Sequence, residues 1–136
     1  MIRPIMKDIV FLKRKSTPAS KADAEVIQDL KDTLAAHRDG CVGMAANMIG
    51  VSKRIIIFDT GTGYTVMLNP VITKRDGRYE TEEGCLSLVG TRKAARYQRI
   101  TVRYTGEDMK QHEADYTGFT AQIIQHECDH LNGVII

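Results

Sequence analysis

The sequence predicts an α+β domain, in which mixed or antiparallel β-sheet packs around a central C-terminal helix and an amphipathic helix stands near the N terminus. Three observations carry this prediction. Apolar residues recur at helical spacing in two separated stretches, residues 26–34 and residues after 117. Between them lie short runs of β-branched and aromatic residues broken by glycine-rich and Asp-Gly turn material. The 136 residues contain no repeat and no Pro- or Ser-rich linker, so residues 1–136 are expected to share one core as a single domain.

Taken in order, residues 1–19 carry Pro4, Pro18 and the triplet Lys13-Arg14-Lys15 without a sustained period, and read as an extended opening segment. Ser20 with Asp23 three residues on has the form of a capping box. Val26, Ile27, Leu30 and Leu34 then share a helical face until Gly40 stops the pattern. The stretch from Gly40 through Cys41, Val42, Gly43, Met44, Ala45, Ala46 and Asn47 to Met48 is sparse in side chains. It reads either as a tight loop against a helix or as backbone left bare for a ligand.

Strands are predicted at residues 55–58, 64–68, 71–73, 78–81, 100–104 and 112–116, with turns at Gly61-Thr62-Gly63 and Asp76-Gly77. From Thr117 the helical period returns through Phe119, Ile123, Ile124 and Leu131, giving a helix to about Asn132. Arg92, Lys93, Arg96 and Arg99 read as a solvated sheet edge with no catalytic role.

Composition narrows the function classes. Hydrophobic residues at 43% and charged residues at 26% are ordinary globular values, which removes disordered and collagen-like readings. The 19 basic against 17 acidic residues leave a net charge of +2, too little to imply a nucleic acid substrate. Apolar runs such as residues 55–58 are too short for a membrane span or a secretory leader, so a cytoplasmic location without membrane contact is expected. Three cysteines, Cys41, Cys85 and Cys128, suit reduced thiols or metal ligation better than a disulfide framework.

The chemistry is concentrated in His126-Glu127-Cys128-Asp129-His130 on the last predicted helix. Histidines four residues apart project from one face and can grip one metal ion. Glu127, offset by one residue, can reach a water at that metal without ligating it, as a general base does. Cys128 points away and reads as packing. A third protein ligand is needed, and Cys85, in Glu82-Glu83-Gly84-Cys85-Leu86-Ser87, is the best candidate. Taken alone, the histidine pair also suits a general metallopeptidase or a polar helix face; the Cys85 segment argues against the peptidase.

These segments resemble three motifs of the bacterial-type peptide deformylase family. Its Gln-His-Glu-x-Asp-His-Leu is matched by residues Gln125 to Leu131, and its Glu-Gly-Cys-Leu-Ser by Glu83 to Ser87. Its Gly-φ-Gly-φ-Ala-Ala-x-Gln, with φ hydrophobic, is matched in part by Cys41 to Met48. The resemblance implies hydrolysis of the N-formyl group of formyl-methionyl peptides, an N-terminal processing step of protein biosynthesis. It implies one divalent ion held by Cys85, His126 and His130, natively Fe2+, with Zn2+ or Ni2+ also suited to a sulfur and nitrogen shell. Glu127 would be the general base and acid, and the Leu86 backbone N–H a donor to the oxyanion. Peptide would meet backbone groups at Gly43 and Leu86, and its methionine side chain a pocket built by Val42, Glu83 and the last helix.

Two positions depart from the family. Met48 stands where the family has the glutamine whose amide donates to the oxyanion; a thioether donates nothing. Losing such a donor costs about 10²- to 10³-fold in kcat, or about 3 to 4 kcal/mol. Asn47 has an amide, but one position away it is aimed elsewhere. Cys41 replaces the first glycine, either as tolerated packing or as a thiol that narrows the cleft or nears the metal. Bacterial members commonly continue into a helix that docks on the ribosome, whereas this sequence runs to Ile136, so weakened ribosome association is expected. Two outcomes stand: a working deformylase, or an impaired relative that binds metal or formyl-peptide without useful turnover.

Overall fold

The computed structural model describes residues 1–85 and 87–134. The opening segment holds one helical turn, α1 (Ile9–Leu12), capped by the Asp8 carboxylate, which accepts from the Val10 N–H at 2.9 Å. The segment is stitched to the body by backbone bonds from Met6 N–H to the Met48 carbonyl and from Ser16 N–H to the Leu131 carbonyl. The Ser20 capping box forms: the Ser20 hydroxyl accepts from Ala22 N–H and the Asp23 carboxylate from Ser20 N–H. A 3-10 turn (Lys21–Asp23) leads into α2 (Ala24–Ala36), which buries Ile27, Leu30 and Leu34 and stops four residues before Gly40.

Five strands follow: β1 (Gly43–Ala45), β2 (Ile55–Asp59), β3 (Tyr64–Cys85), β4 (Leu88–Thr105) and β5 (Gln111–Thr117). They form one sheet in chain order, every pair antiparallel. The only parallel pairing among the described residues is an isolated bridge, Thr17 to Lys53. A 3-10 turn (Ala46–Ile49) carries the chain out of β1, and α3 (Gly118–Leu131) packs back across β1, β2, β4 and β5.

The apolar run on β2 is buried on both faces. Ile55 and Ile57 join Leu30 and Leu34 of α2 in one core, whereas Ile56 and Phe58 join Ala121, Ile124 and Leu131 of α3 in the other. Strand alternation thus divides four consecutive residues between two layers of helix. Each of these side chains, fully buried, contributes roughly 1.5 to 3 kcal/mol. Phe58 also meets Tyr116 of β5 edge-on, with ring centroids 6.0 Å apart.

Several expectations need correction. Residues 71–73 and 78–81 are not separate strands, and Asp76-Gly77 makes no turn: Asp76 pairs with Arg99 inside β3, and Gly77 takes a φ of 77° within the strand. β4 begins at Leu88, far ahead of the expected residues 100–104. It lies between β3 and β5, so Arg96 is not on a solvated edge; it is 4% exposed, although Lys93 and Arg99 are exposed. Phe119 is 63% exposed instead of lying on the buried face of α3. The strand β1 was not expected at all, because three residues of Gly-Met-Ala carry little β preference of their own.

Candidate metal centre

β3 ends at Cys85, and α3 presents His126 and His130 one turn apart to the same point. The Cys85 sulfur and one nitrogen of each ring lie within 4.8 Å of one another. The two Nε2 atoms are 2.9 Å apart and the rings stand nearly perpendicular, at 79°. One thiol and two imidazoles are the donor set of a divalent transition metal, and Cys85, His126 and His130 hold a single such ion.

The His126 imidazole is fixed from behind. His126 Nδ1 lies 2.8 Å from Glu83 Oε1; an ionised carboxylate can only accept, so His126 donates there and Nε2 is left to face the centre. Glu83 also accepts from Arg96, at 2.6 Å from Nη2, and from the Gln122 amide at 2.9 Å. His130 is steadied through its backbone, whose carbonyl accepts from Asn47 Nδ2 at 2.9 Å. Gln125 knits α3 to β4 by exchanging bonds of 2.8 Å with the Tyr97 N–H and carbonyl.

Glu127 is buried beside the trio, with its Oε1 4.0 Å from His130 Nε2 and without a hydrogen-bond partner. A buried carboxylate oxygen left unpaired is costly unless it serves a donor that the site brings to it. The backbone of Gly43 makes room for this side chain. A Cβ there would sit 2.6 Å from Ile123 Cγ2 and 3.0 Å from Glu127 Oε2.

The local charges diverge sharply. Burial pushes the Glu127 carboxyl up to about 7. Burial also disfavours ionised Glu83, but hydrogen bonds from His126 and Arg96 outweigh it and hold the carboxyl down near about 2. Burial opposes a charged His126, yet bonds to Cys85 and Glu83 raise it to about 10. His130, buried and next to that charge, falls to about 3. Two imidazoles this close cannot both be cationic.

A cleft of about 470 Å³ opens over the site. Val42, Phe119 and Ile123 give it apolar walls; Gly43, Glu83, His126 and Glu127 give it a polar floor. Met48 lines it, 1% exposed, with its sulfur 3.5 Å from the Ala45 N–H, whereas Asn47 is turned to α3. Cys41 lines it as well: its thiol, raised to about 11 by burial, donates to the Gly43 carbonyl at 2.9 Å and is not one of the trio. Cys128 packs in the α3 core. Leu86 lies outside the described residues. Sequence reasoning missed Arg96, Gln122 and Gln125; the signal for Arg96 was its strand phase, two positions from buried Ala94.

The polypeptide deformylase family model matches residues 2–136. A peptide deformylase of Clostridium beijerinckii is 55% identical over 136 residues, which is 100% of both chains. A peptide deformylase from Legionella pneumophila superposes with a TM-score of 0.90 at 33% identity, over 99% of this chain and 83% of that one. The class I type b peptide deformylase from Acinetobacter baumannii, crystallised with Met-Ala-Ser bound, superposes with a TM-score of 0.88 at 30% identity, over 99% and 97% of the two chains. With likeness running through the whole sequence and the whole fold, the chain belongs to the polypeptide deformylase family.

Proposed function

We propose that this chain removes the formyl group from formyl-methionyl peptides, with Glu127 as general base and acid beside a ferrous ion held by Cys85, His126 and His130. The observation that carries the reading is Glu127 itself, a buried carboxylate with one unpartnered oxygen next to a three-ligand site. Family membership supplies the substrate class, and Met-Ala-Ser in the Acinetobacter relative supports a peptide with N-terminal methionine in this cleft. The reading puts the reaction on nascent chains in the cytoplasm.

When bound, the divalent ion supplies Lewis acidity and brings the pKa of a water toward about 7. Glu127 accepts the proton of the attacking water on its unpartnered oxygen. A C–O bond forms at the formyl carbon as its C–N bond breaks, and Glu127 returns the proton to the departing amine, giving formate and a free N terminus. Glu83 keeps His126 in the donating tautomer at Nδ1 and adds its stem to the pocket floor. Val42, with Phe119 and Ile123, gives the methionine side chain an apolar wall. The Gly43 backbone, at the mouth of the cleft, pairs with the peptide.

Met48 favours a second reading, of slow turnover, because it fills the family's donor position with a thioether. The test is formate release from formyl-Met-Ala-Ser by anaerobic, iron-loaded protein. Release above a Glu127→Gln control supports the first reading. Stoichiometric metal and peptide binding with no release would move the conclusion to the second.

A further inference from the structure

We propose that Arg96 is a positioning residue for the metal centre: its guanidinium clamps the cysteine-bearing strand and the histidine-bearing helix in the one alignment that brings their ligands together. The inference rests on Cys85, His126 and His130 being the metal ligands. These come from two elements with no covalent tie near the site, the end of β3 and the C-terminal half of α3. Arg96 belongs to neither, standing on β4 with its side chain buried.

One edge of the guanidinium grips Glu83, two residues before Cys85, from Nε at 3.0 and 3.2 Å and from Nη2 at 2.6 Å. The other edge, Nη1, donates to Asp129, the neighbour of His130, at 2.8 Å. It is anchored in turn to the Ala95 carbonyl at 3.1 Å. The planar fork therefore fixes Glu83 relative to Asp129, which no single hydrogen bond could do.

Glu83 then passes the alignment on. Its Oε1 takes the His126 Nδ1–H, and its Oε2 takes Gln122 Nε2, whose own carbonyl accepts from the Tyr79 hydroxyl at 3.1 Å. The His126 ring can neither flip nor swing while that chain of bonds holds. Lysine at position 96 would supply the charge without the planar fork that sets the two carboxylates at a fixed angle to each other.

The experiment uses full-length protein stripped of metal, with affinity for Zn2+ and Co2+ measured by chelator competition and no peptide present. Arg96→Lys is expected to weaken both affinities by about 10- to 100-fold. Asp129→Asn, which takes the charge from one arm at a partly exposed side chain, is expected to weaken them by about three- to tenfold. At saturating Co2+, both variants are expected to show a displaced thiolate-to-cobalt absorption band, which a loss of stability alone does not produce. Folded variants with wild-type affinity and band overturn the proposal, as does weakened affinity with an unchanged band. If Arg96→Lys does not fold, Asp129→Asn decides by the same criteria. Deformylation does not enter the readout, so failure here is distinguishable from failure of the proposed activity.

Discussion

Replacing Met48 by glutamine tests how far one missing donor limits this enzyme. Glutamine has nearly the length of methionine, and Met48 is 1% exposed on the cleft wall, so the new amide is delivered to the same place. Its carbonyl can take over the Ala45 N–H that the sulfur now receives at 3.5 Å, which leaves the NH2 free for the cleft. An oxyanion donor is worth about 10²- to 10³-fold in kcat, and a graft that misses by a fraction of an ångström recovers about 10²-fold. The donor acts on charge that exists only in the transition state, so KM should stay within about twofold. Burying an amide in place of a thioether should cost about 1 to 2 kcal/mol and lower Tm by several degrees. The assay is steady-state formate release with metal content measured on the same samples. A folded, fully loaded Met48→Gln protein with kcat within twofold of wild type would refute the reasoning.

Gly43→Ala should force the new Cβ into Ile123 and Glu127, contacts of 2.6 and 3.0 Å, costing roughly 1 to 3 kcal/mol by denaturant titration. Displacing Glu127 by up to an ångström should lower kcat about 10²-fold. Cys41, with its thiol near 11, is about 0.1% thiolate at pH 8, so its alkylation should run about 100-fold slower than that of a thiol at 9. The rate should climb about tenfold per pH unit up to 11, as peptide mapping would record; a pH-independent rate would contradict the assigned ionisation. Chelating the metal should lower Tm by roughly 10 to 15 °C if the ion is held at about a thousandfold above its Kd, because only the folded chain gathers the trio. Calorimetry before and after chelation measures this directly.

The parts of the molecule legible in the sequence were those whose residues follow the rules of their own element. α2 announced itself by its capping box and period, and α3 by the apolar period through Ile123, Ile124 and Leu131. Ile55 to Phe58 read as a strand because four apolar residues in a row suit burial from both sides. The long hairpin was not legible beyond the core. From Arg78 to Arg99 the outward faces of its two strands are exposed and polar, and few apolar side chains mark the inward ones, so alternation fades. Where that hairpin does face α3, the inward residues are Glu83 and Arg96, a charged pair that looks like surface until both members are seen together. The ligands were legible for the same reason that the clamp behind them was not: ligands have fixed spacing within a motif, whereas Glu83 and Arg96 meet only across strands.

The two-sided burial of β2 governs how this molecule comes apart. Ile56 cannot leave the α3 layer without pulling on Ile55 and Ile57 in the α2 layer, since all three share one stretch of backbone. Neither layer can melt alone, and unfolding should be a single cooperative event despite the two separate clusters. The amide protons of this strand, paired on one side with β1 and on the other with β3, should then be among the last to exchange with solvent.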